Sequence, residues 1–342
     1  MYDALLVVSF GGPEKPDDVM PFLENVTRGR NIPRERLLGV AEHYYHFGGK
    51  SPINDQNRAL ITALKDELKA NGVDLPIYWG NRNWHPTLPE ALSRMKADGI
   101  KSALAFVTSA YSSYSSCRQY RENIKAAQSE IGPGAPNIDK LRVFYNHPGF
   151  IEACAERVRE GLSALEGDGR WLIFTAHSIP TAMANTSDYE RQFQETAGLV
   201  SEAVGFSGFQ CAYQSRSGAP NQPWLGPDIL ECLRTRRQMG FKNVLVAPIG
   251  FISDHMEVLY DLDIEAQELA KELGIKMVRA GTAGTHPAFV RTIRQLIQER
   301  LNPDAPKLAI GKYGPNHDFC PDYCCPVLTR AGTIHALASR EP

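Results

Sequence analysis

No stretch of this 342-residue chain is apolar for long enough to cross a bilayer. The longest such run, from Val244 to Ile252, is broken by Pro248 and Gly250, whereas a helical span needs about 20 apolar residues. The N-terminus leads into an apolar segment with no basic region before it, so no secretory leader is expected and the chain is expected in the cytoplasm. Excess charge is also lacking: the net charge is −2, which leaves no basic stripe for a phosphate backbone or an anionic lipid surface and excludes nucleic acid as a partner. No G-x-G-x-x-G occurs, and Gly49-Lys50-Ser51 is not a phosphate loop because Tyr44 stands where the first glycine is required. The G-x-S-x-G elbow is missing as well, which removes a hydrolase reading of Ser178 beside His177. The seven cysteines are odd in number and contain no C-x2-C pair, which argues against a disulfide framework and against the common zinc spacing, and for a reduced compartment.

What is present is ordinary globular composition, 43% hydrophobic and 22% charged, in a chain long enough for two domains with real cores. Short apolar runs at 4–10, 76–80, 102–108 and 141–145, then at 170–175, 208–213, 243–249 and 275–279, alternate with segments of helical periodicity such as 16–25, 55–71, 149–165 and 287–301. Strands separated by crossovers of helical length predict an α/β fold of two similar doubly wound domains with parallel sheets. The expected division is 1–150, 151–305 and a tail, 306–342, that carries Cys320, Cys324 and Cys325. Between the first two helices, Arg28, Arg30, Arg34, Arg36 and the aromatic segment from His43 to Gly49 read as a loop. It suits a flat apolar ligand whose carboxylates are held by arginine.

His177, Gln214, the Ser253-Asp254-His255 turn and the hydroxyl-rich loop from Tyr111 to Ser116 all follow predicted strands. Open α/β sheets build their sites at these carboxyl ends. Beyond the turn, Glu257, Asp261 and Glu265 recur every four residues, which on an α-helix makes one acidic stripe, and no basic residue precedes Lys271. Like charges at this spacing repel by a few tenths of a kcal/mol each, so the stripe reads as a cation-attracting site. Paired with an imidazole, it suits a reaction that removes protons and delivers a divalent cation.

Seven segments in order, Ser9-Phe-Gly-Gly-Pro-Glu14, Gly48-Gly-Lys-Ser-Pro-Ile-Asn54, Ala110-Tyr-Ser-Ser-Tyr-Ser115, Thr175-Ala-His-Ser-Ile-Pro180, Tyr213-Gln-Ser-Arg216, Pro223-Trp-Leu-Gly-Pro227 and the run from Ser253 to Glu265, resemble those of ferrochelatases. That family inserts ferrous iron into a porphyrin in haem biosynthesis. The resemblance implies two Rossmann-like domains around a porphyrin cleft, with porphyrin and Fe(II) as substrates and transient contacts with other haem-pathway enzymes. It implies His177 as the base that takes pyrrole protons, Glu257 as the carboxylate across the macrocycle, and Asp261 and Glu265 as an acidic path, all four facing the metal. Phe10 stands where monomeric soluble relatives often carry tyrosine; without a hydroxyl it is expected to pack on the ring rather than ligate metal.

The segments Glu24 to Arg30 and Pro33 to Arg36 look similar to actinobacterial enzymes that use coproporphyrin III, with its four propionates. On that resemblance Arg28, Arg30, Tyr44 and Ser51 hold propionates, and Phe10, Tyr111, Ser112, Tyr114, Gln214 and Trp224 complete the cleft. Protoporphyrin IX is the alternative substrate, and a haem or iron-sulfur sensor without chelatase activity is the alternative from another class. Some ferrochelatases carry a [2Fe-2S] cluster near the C-terminus. The resemblance implies one here on Cys154, Cys320, Cys324 and Cys325, stapling the tail to the second domain, with zinc as the alternative because the trio is closely spaced.

Overall fold

The computed structural model describes residues 2–30, 32–219 and 221–326. Ala4-Leu-Leu-Val-Val-Ser9 is buried on both faces, as a central strand of a parallel sheet must be, and forms β1 (Ala4–Ser9). The helices α1 (Val19–Val26), α2 (Arg34–His46) and α3 (Ile53–Ala70) follow, then β2 (Ile77–Asn81), α4 (Leu88–Ala97), β3 (Ser102–Val107), α5 (Gln119–Ile131) and β4 (Asn137–Lys140). Second come α6 (Pro148–Ser163), β5 (Arg170–His177), α7 (Thr181–Ala184), α8 (Tyr189–Ala203), β6 (Phe209–Gln214), α9 (Ile229–Gln238) and β7 (Asn243–Ala247). Among the described residues the last regular elements are α10 (Met256–Val258), α11 (Gln267–Glu272), β8 (Lys276–Arg279) and α12 (Pro287–Leu301). The sheets run β2-β1-β3-β4 and β6-β5-β7-β8, parallel throughout, so one topology is used twice. This is the expected pair of doubly wound, Rossmann-like units.

Three local expectations change. The stretch expected as a loop holds α2, in which Leu37 and Ala41 are buried one turn apart; its basic and aromatic residues obscured that short apolar stripe. The strand expected at 141–145 lies one step earlier, as β4. Leu141 donates to the Ala105 carbonyl at 2.9 Å, after which the chain leaves the ladder. Leu141, Val143, Phe144 and Tyr145 are apolar because they run through the core, not because they pair. The acidic stretch after α10 is wound as a π-helix, Leu259–Ala266, rather than as the α-helix its four-residue spacing implied.

Packing does not stop where the sequence repeats. One core joins Leu5, Val7 and Phe106 of the first sheet to Phe174 and Ala247 of the second. Helix α12 returns to seal it, with Phe289 against Phe106, Phe144 and Phe150 and Arg294 paired to Glu67 of α3 at 2.7 Å. Arg142 and Glu299 form a buried bidentate pair at 2.7 and 2.8 Å. The tail is tied to both halves: Asn146 donates to the Ile310 and Gly314 carbonyls, Arg118 and Arg121 donate to those of Asp322, Cys324 and Cys320, and the Lys312 backbone N–H donates to Glu195 of α8 at 2.9 Å. Among the described residues no helix is long and apolar enough to cross a membrane.

Candidate active site

Strands β5 and β6 place His177 opposite Gln214 at their carboxyl ends. The turn after β7 reaches them because residue 250 is glycine: a Cβ there would lie 2.4 Å from the Ala176 Cα. That approach brings His255 and α10 over the end of β5. The His255 ring accepts from the Glu257 backbone at 3.3 Å, capping the short helix, so Glu257 projects back toward His177. The imidazole Nδ1 of His177 lies against the Ser178 carbonyl, which leaves Nε2 facing the Glu257 carboxylate at 3.4 Å. Tyr189 donates to the His177 carbonyl at 2.9 Å and holds the strand end.

The charges are set by this contact. Burial alone would lower the His177 imidazole, but the Glu257 carboxylate overrides it and raises the pKa to about 9. Burial would raise Glu257, yet His177 holds it down at about 2. At neutral pH the pair is therefore imidazolium and carboxylate. Asp261 is pushed up to about 7 by burial, with the Glu257 and Glu265 charges adding and the Ser215 hydroxyl bond opposing. Burial lowers His255. It raises Glu265, with Asp228 and Glu268 contributing. The π winding, whose i→i+5 bonds widen the turn, carries Asp261 toward Ser215 and Gln214. Gln214 donates to the Glu257 carbonyl at 3.3 Å and to Asp261 at 3.5 Å. At 1% exposed it positions the acids rather than lining a wall. Ser215, with φ of 63°, is held in the left-handed region with its hydroxyl on Asp261.

This geometry corrects one expectation. A macrocycle between His177 and Glu257 would need about 3.5 Å of contact distance on each side, and the two groups are only 3.4 Å apart. They form one unit, in contact with each other. Tyr44 feels the Glu257 charge and belongs with Phe10 and Trp84 to an aromatic group around Phe22, with ring centroids 5.8 to 6.3 Å apart. His43 of α2 stacks on Tyr260 of the π-helix at 3.6 Å, and the Gln56 side chain accepts from the Asp254 backbone at 2.8 Å.

The other expected residues divide. Tyr111 is 1% exposed and donates to the Ile249 carbonyl at 2.9 Å, so it is an internal strut between the halves and not a wall of the cleft. Ser112 is engaged by Gln192 at 2.7 and 3.1 Å. Tyr114 donates to Glu122 at 2.9 Å. Ser51 is buried under the loop after β1, where a Cβ on Gly12 would lie 2.7 Å from it. Trp224 is half-buried against Gly218, and Arg28 and Arg30 are exposed on the turn after α1.

The cysteines regroup. Cys154 is 4% exposed in the face of α6 that also buries Phe150, Ile151, Ala155 and Val158, and its thiol is pushed up to about 12 by burial alone. The expectation that it joins the tail trio is corrected: it faces the core, with burial as the sole influence on its thiol. Cys117, in the π-turn Tyr114–Arg118 ahead of α5, meets Cys320 instead. Ligand atoms of His317, Cys320 and Cys324 lie within 4.8 Å of one another, and the Cys324 and Cys325 sulfurs are 3.8 Å apart. Spacing along the chain could not distinguish Cys117 from Cys154, since both follow predicted strands by a helical turn or more.

The ferrochelatase family profile matches residues 2–301. A ferrochelatase of Rhodopirellula baltica is 56% identical, with 95% of this chain and 93% of the relative covered. A coproporphyrin III ferrochelatase of Streptomyces coelicolor is 50% identical over the same shares. Among solved structures, SirB from Bacillus subtilis with Fe3+ aligns with a TM-score of 0.57 at 13% identity, covering 90% of this chain and all of that one, a likeness of fold. With the fold, the strand-end site and these relatives in agreement, the chain belongs to the ferrochelatase family and is an enzyme of metal insertion into porphyrin.

Proposed function

We propose that the enzyme inserts Fe(II) into coproporphyrin III, giving coprohaem. The observation that carries the mechanism is the His177–Glu257 contact beside a neutral-poised Asp261. Insertion exchanges two pyrrole protons for one divalent cation, so one place must hold protons and metal by turns. The resting imidazolium cannot accept a proton. Fe(II) exchanging a water ligand for the Glu257 carboxylate withdraws the charge that holds the imidazole up, burial then lowers its pKa, and His177 passes its proton to Asp261 and takes the two ring protons in turn, releasing each by the same route. Asp261, with a pKa near neutrality, passes protons outward and metal inward, and Glu265 extends that path. The aromatic wall with Phe10 favours a bent macrocycle over a flat one, which is catalysis by differential binding.

The name of the Streptomyces relative supports coproporphyrin III, as does the arginine-bearing stretch beside the cleft. The test is porphyrin absorbance on anaerobic Fe(II) addition with four- and two-propionate substrates side by side. A kcat/KM at least about tenfold higher for the four-propionate ring, the worth of one charged hydrogen bond, is expected. Equal or inverted values would assign protoporphyrin IX. Transient contacts with other haem-pathway enzymes belong to the same reading.

For the tail, the fitting cofactor is a [2Fe-2S] cluster, with zinc as the alternative, held by Cys117, Cys320, Cys324 and Cys325. Thiols from two distant segments suit the cluster, the convergence of His317, Cys320 and Cys324 suits zinc, and Arg118 and Arg121 bring positive charge to the thiolates. When bound it would supply no insertion chemistry and would staple the tail to the start of α5. Anaerobically purified protein is expected to contain about two irons and two labile sulfides per chain. Cys117→Ser should lose them and Cys154→Ser should keep them. Colourless protein with stoichiometric zinc would select the alternative, and loss in the Cys154 variant alone would refute the ligand set.

A further inference from the structure

Arg82 follows β2 at the carboxyl end of the first sheet, and no sequence signal singled it out. Its guanidinium lies 5.6 Å over the Phe10 ring and 4.9 Å over that of Tyr120, and it donates to the Ser115 carbonyl at 3.3 Å. An arginine has five donors, and among the described residues no carboxylate lies within ion-pair distance of this one. The nearby acid is already engaged: Glu122 takes Arg118 at 2.8 Å and the Tyr114 hydroxyl at 2.9 Å. Some other cations of the first half have a partner, Lys50 in Asp55, Arg34 in Glu24 and Arg58 in Glu14. The residue after Arg82 carries the same imbalance. Asn83 is 8% exposed, and its amide nitrogen has no acceptor among the described residues. A half-buried cation without a counter-charge keeps part of its desolvation cost, which stacking on two rings offsets only in part.

We infer that Arg82 anchors one carboxylate of the porphyrin substrate at the edge of Phe10, where a ring stacked on that side chain carries its propionate into the guanidinium fork. The inference deepens the proposed function and rests on it, since it needs a carboxylated macrocycle in this cleft. It makes Arg82 a specificity residue rather than a catalytic one. Its donors meet the periphery of the ring, while the exchange of protons for iron takes place at its centre.

The test uses the full chain with Arg82→Gln and Arg82→Lys, a four-propionate porphyrin and its uncharged tetramethyl ester, and dissociation constants from fluorescence quenching. Arg82→Gln is expected to weaken the acid by about tenfold to a hundredfold, as loss of a charge-assisted pair does, and the ester by less than about twofold. Arg82→Lys, which keeps the charge without the fork, should fall between, and kcat at saturating porphyrin should hold within about threefold for both. Equal losses on acid and ester, or no loss on the acid, would overturn the anchor. If Arg82→Gln does not fold, the Arg82→Lys ratio of acid to ester decides alone. Should the wild type prefer two-propionate porphyrin while Arg82→Gln still separates acid from ester, the coproporphyrin reading falls and the anchor stands.

Discussion

His177→Ala lowers kcat for iron insertion by at least about a hundredfold and leaves the porphyrin dissociation constant within about threefold. The magnitude is that of a positioned general base, roughly 10² to 10⁴. It applies here because Nδ1 is held at the Ser178 carbonyl and only Nε2 is free to work, 3.4 Å from Glu257. Binding is spared because the imidazole acts on the ring only once protons must leave. Single-turnover absorbance under anaerobic conditions gives the rate, and fluorescence quenching gives the affinity. An unchanged kcat would end the assignment, and a loss confined to affinity would make His177 a wall residue.

Glu257→Gln should cost about 10² to 10³ in kcat, the usual price of removing one preorganised charge from a reacting centre, and should raise the KM for Fe(II) more than that for porphyrin. It carries a second signature. With the carboxylate gone, burial opposes only the Ser178 carbonyl and Asp261, so the His177 pKa should fall from about 9, readable by NMR titration. The linkage has a definite sign. The raised His177 contributes stability that is complete below 6.5 and lost as pH climbs through about 9. The depressed Glu257 contributes stability present above 4.5 and lost as pH falls through about 2. Both act between 4.5 and 6.5, so the melting difference between wild type and variant should peak there. Because the Glu257 side chain is 47% exposed, solvent screening keeps that difference within about 1 kcal/mol. A histidine pKa that does not move would mean that the two groups do not interact in solution.

Much of this arrangement was legible along the chain. Alternating apolar and amphipathic runs determined two repeated parallel units, and β-strand ends determined where His177, Gln214 and the Ser253-Asp254-His255 turn would converge, because a parallel sheet sends all its carboxyl ends to one side. The seven ordered segments determined the family. Four matters were decided only by the tertiary structure. The four-residue spacing of Glu257, Asp261 and Glu265 is compatible with α or π winding, and contact with Ser215 and Gln214 accompanies the π form. How near Glu257 comes to His177 depends on the approach of residue 250 to Ala176, a distance between segments far apart in the chain. Cys117 rather than Cys154 meets the tail because α6 turns Cys154 into the core while the π-turn brings Cys117 under Cys320. Arg82 has no local pattern at all; its place over the Phe10 and Tyr120 rings, with no carboxylate in ion-pair reach among the described residues, comes from packing. Periodicity is a property of neighbours in sequence, whereas each of these four is a distance between segments far apart in the chain, and such distances exist only once the two sheets and α12 have packed around one core.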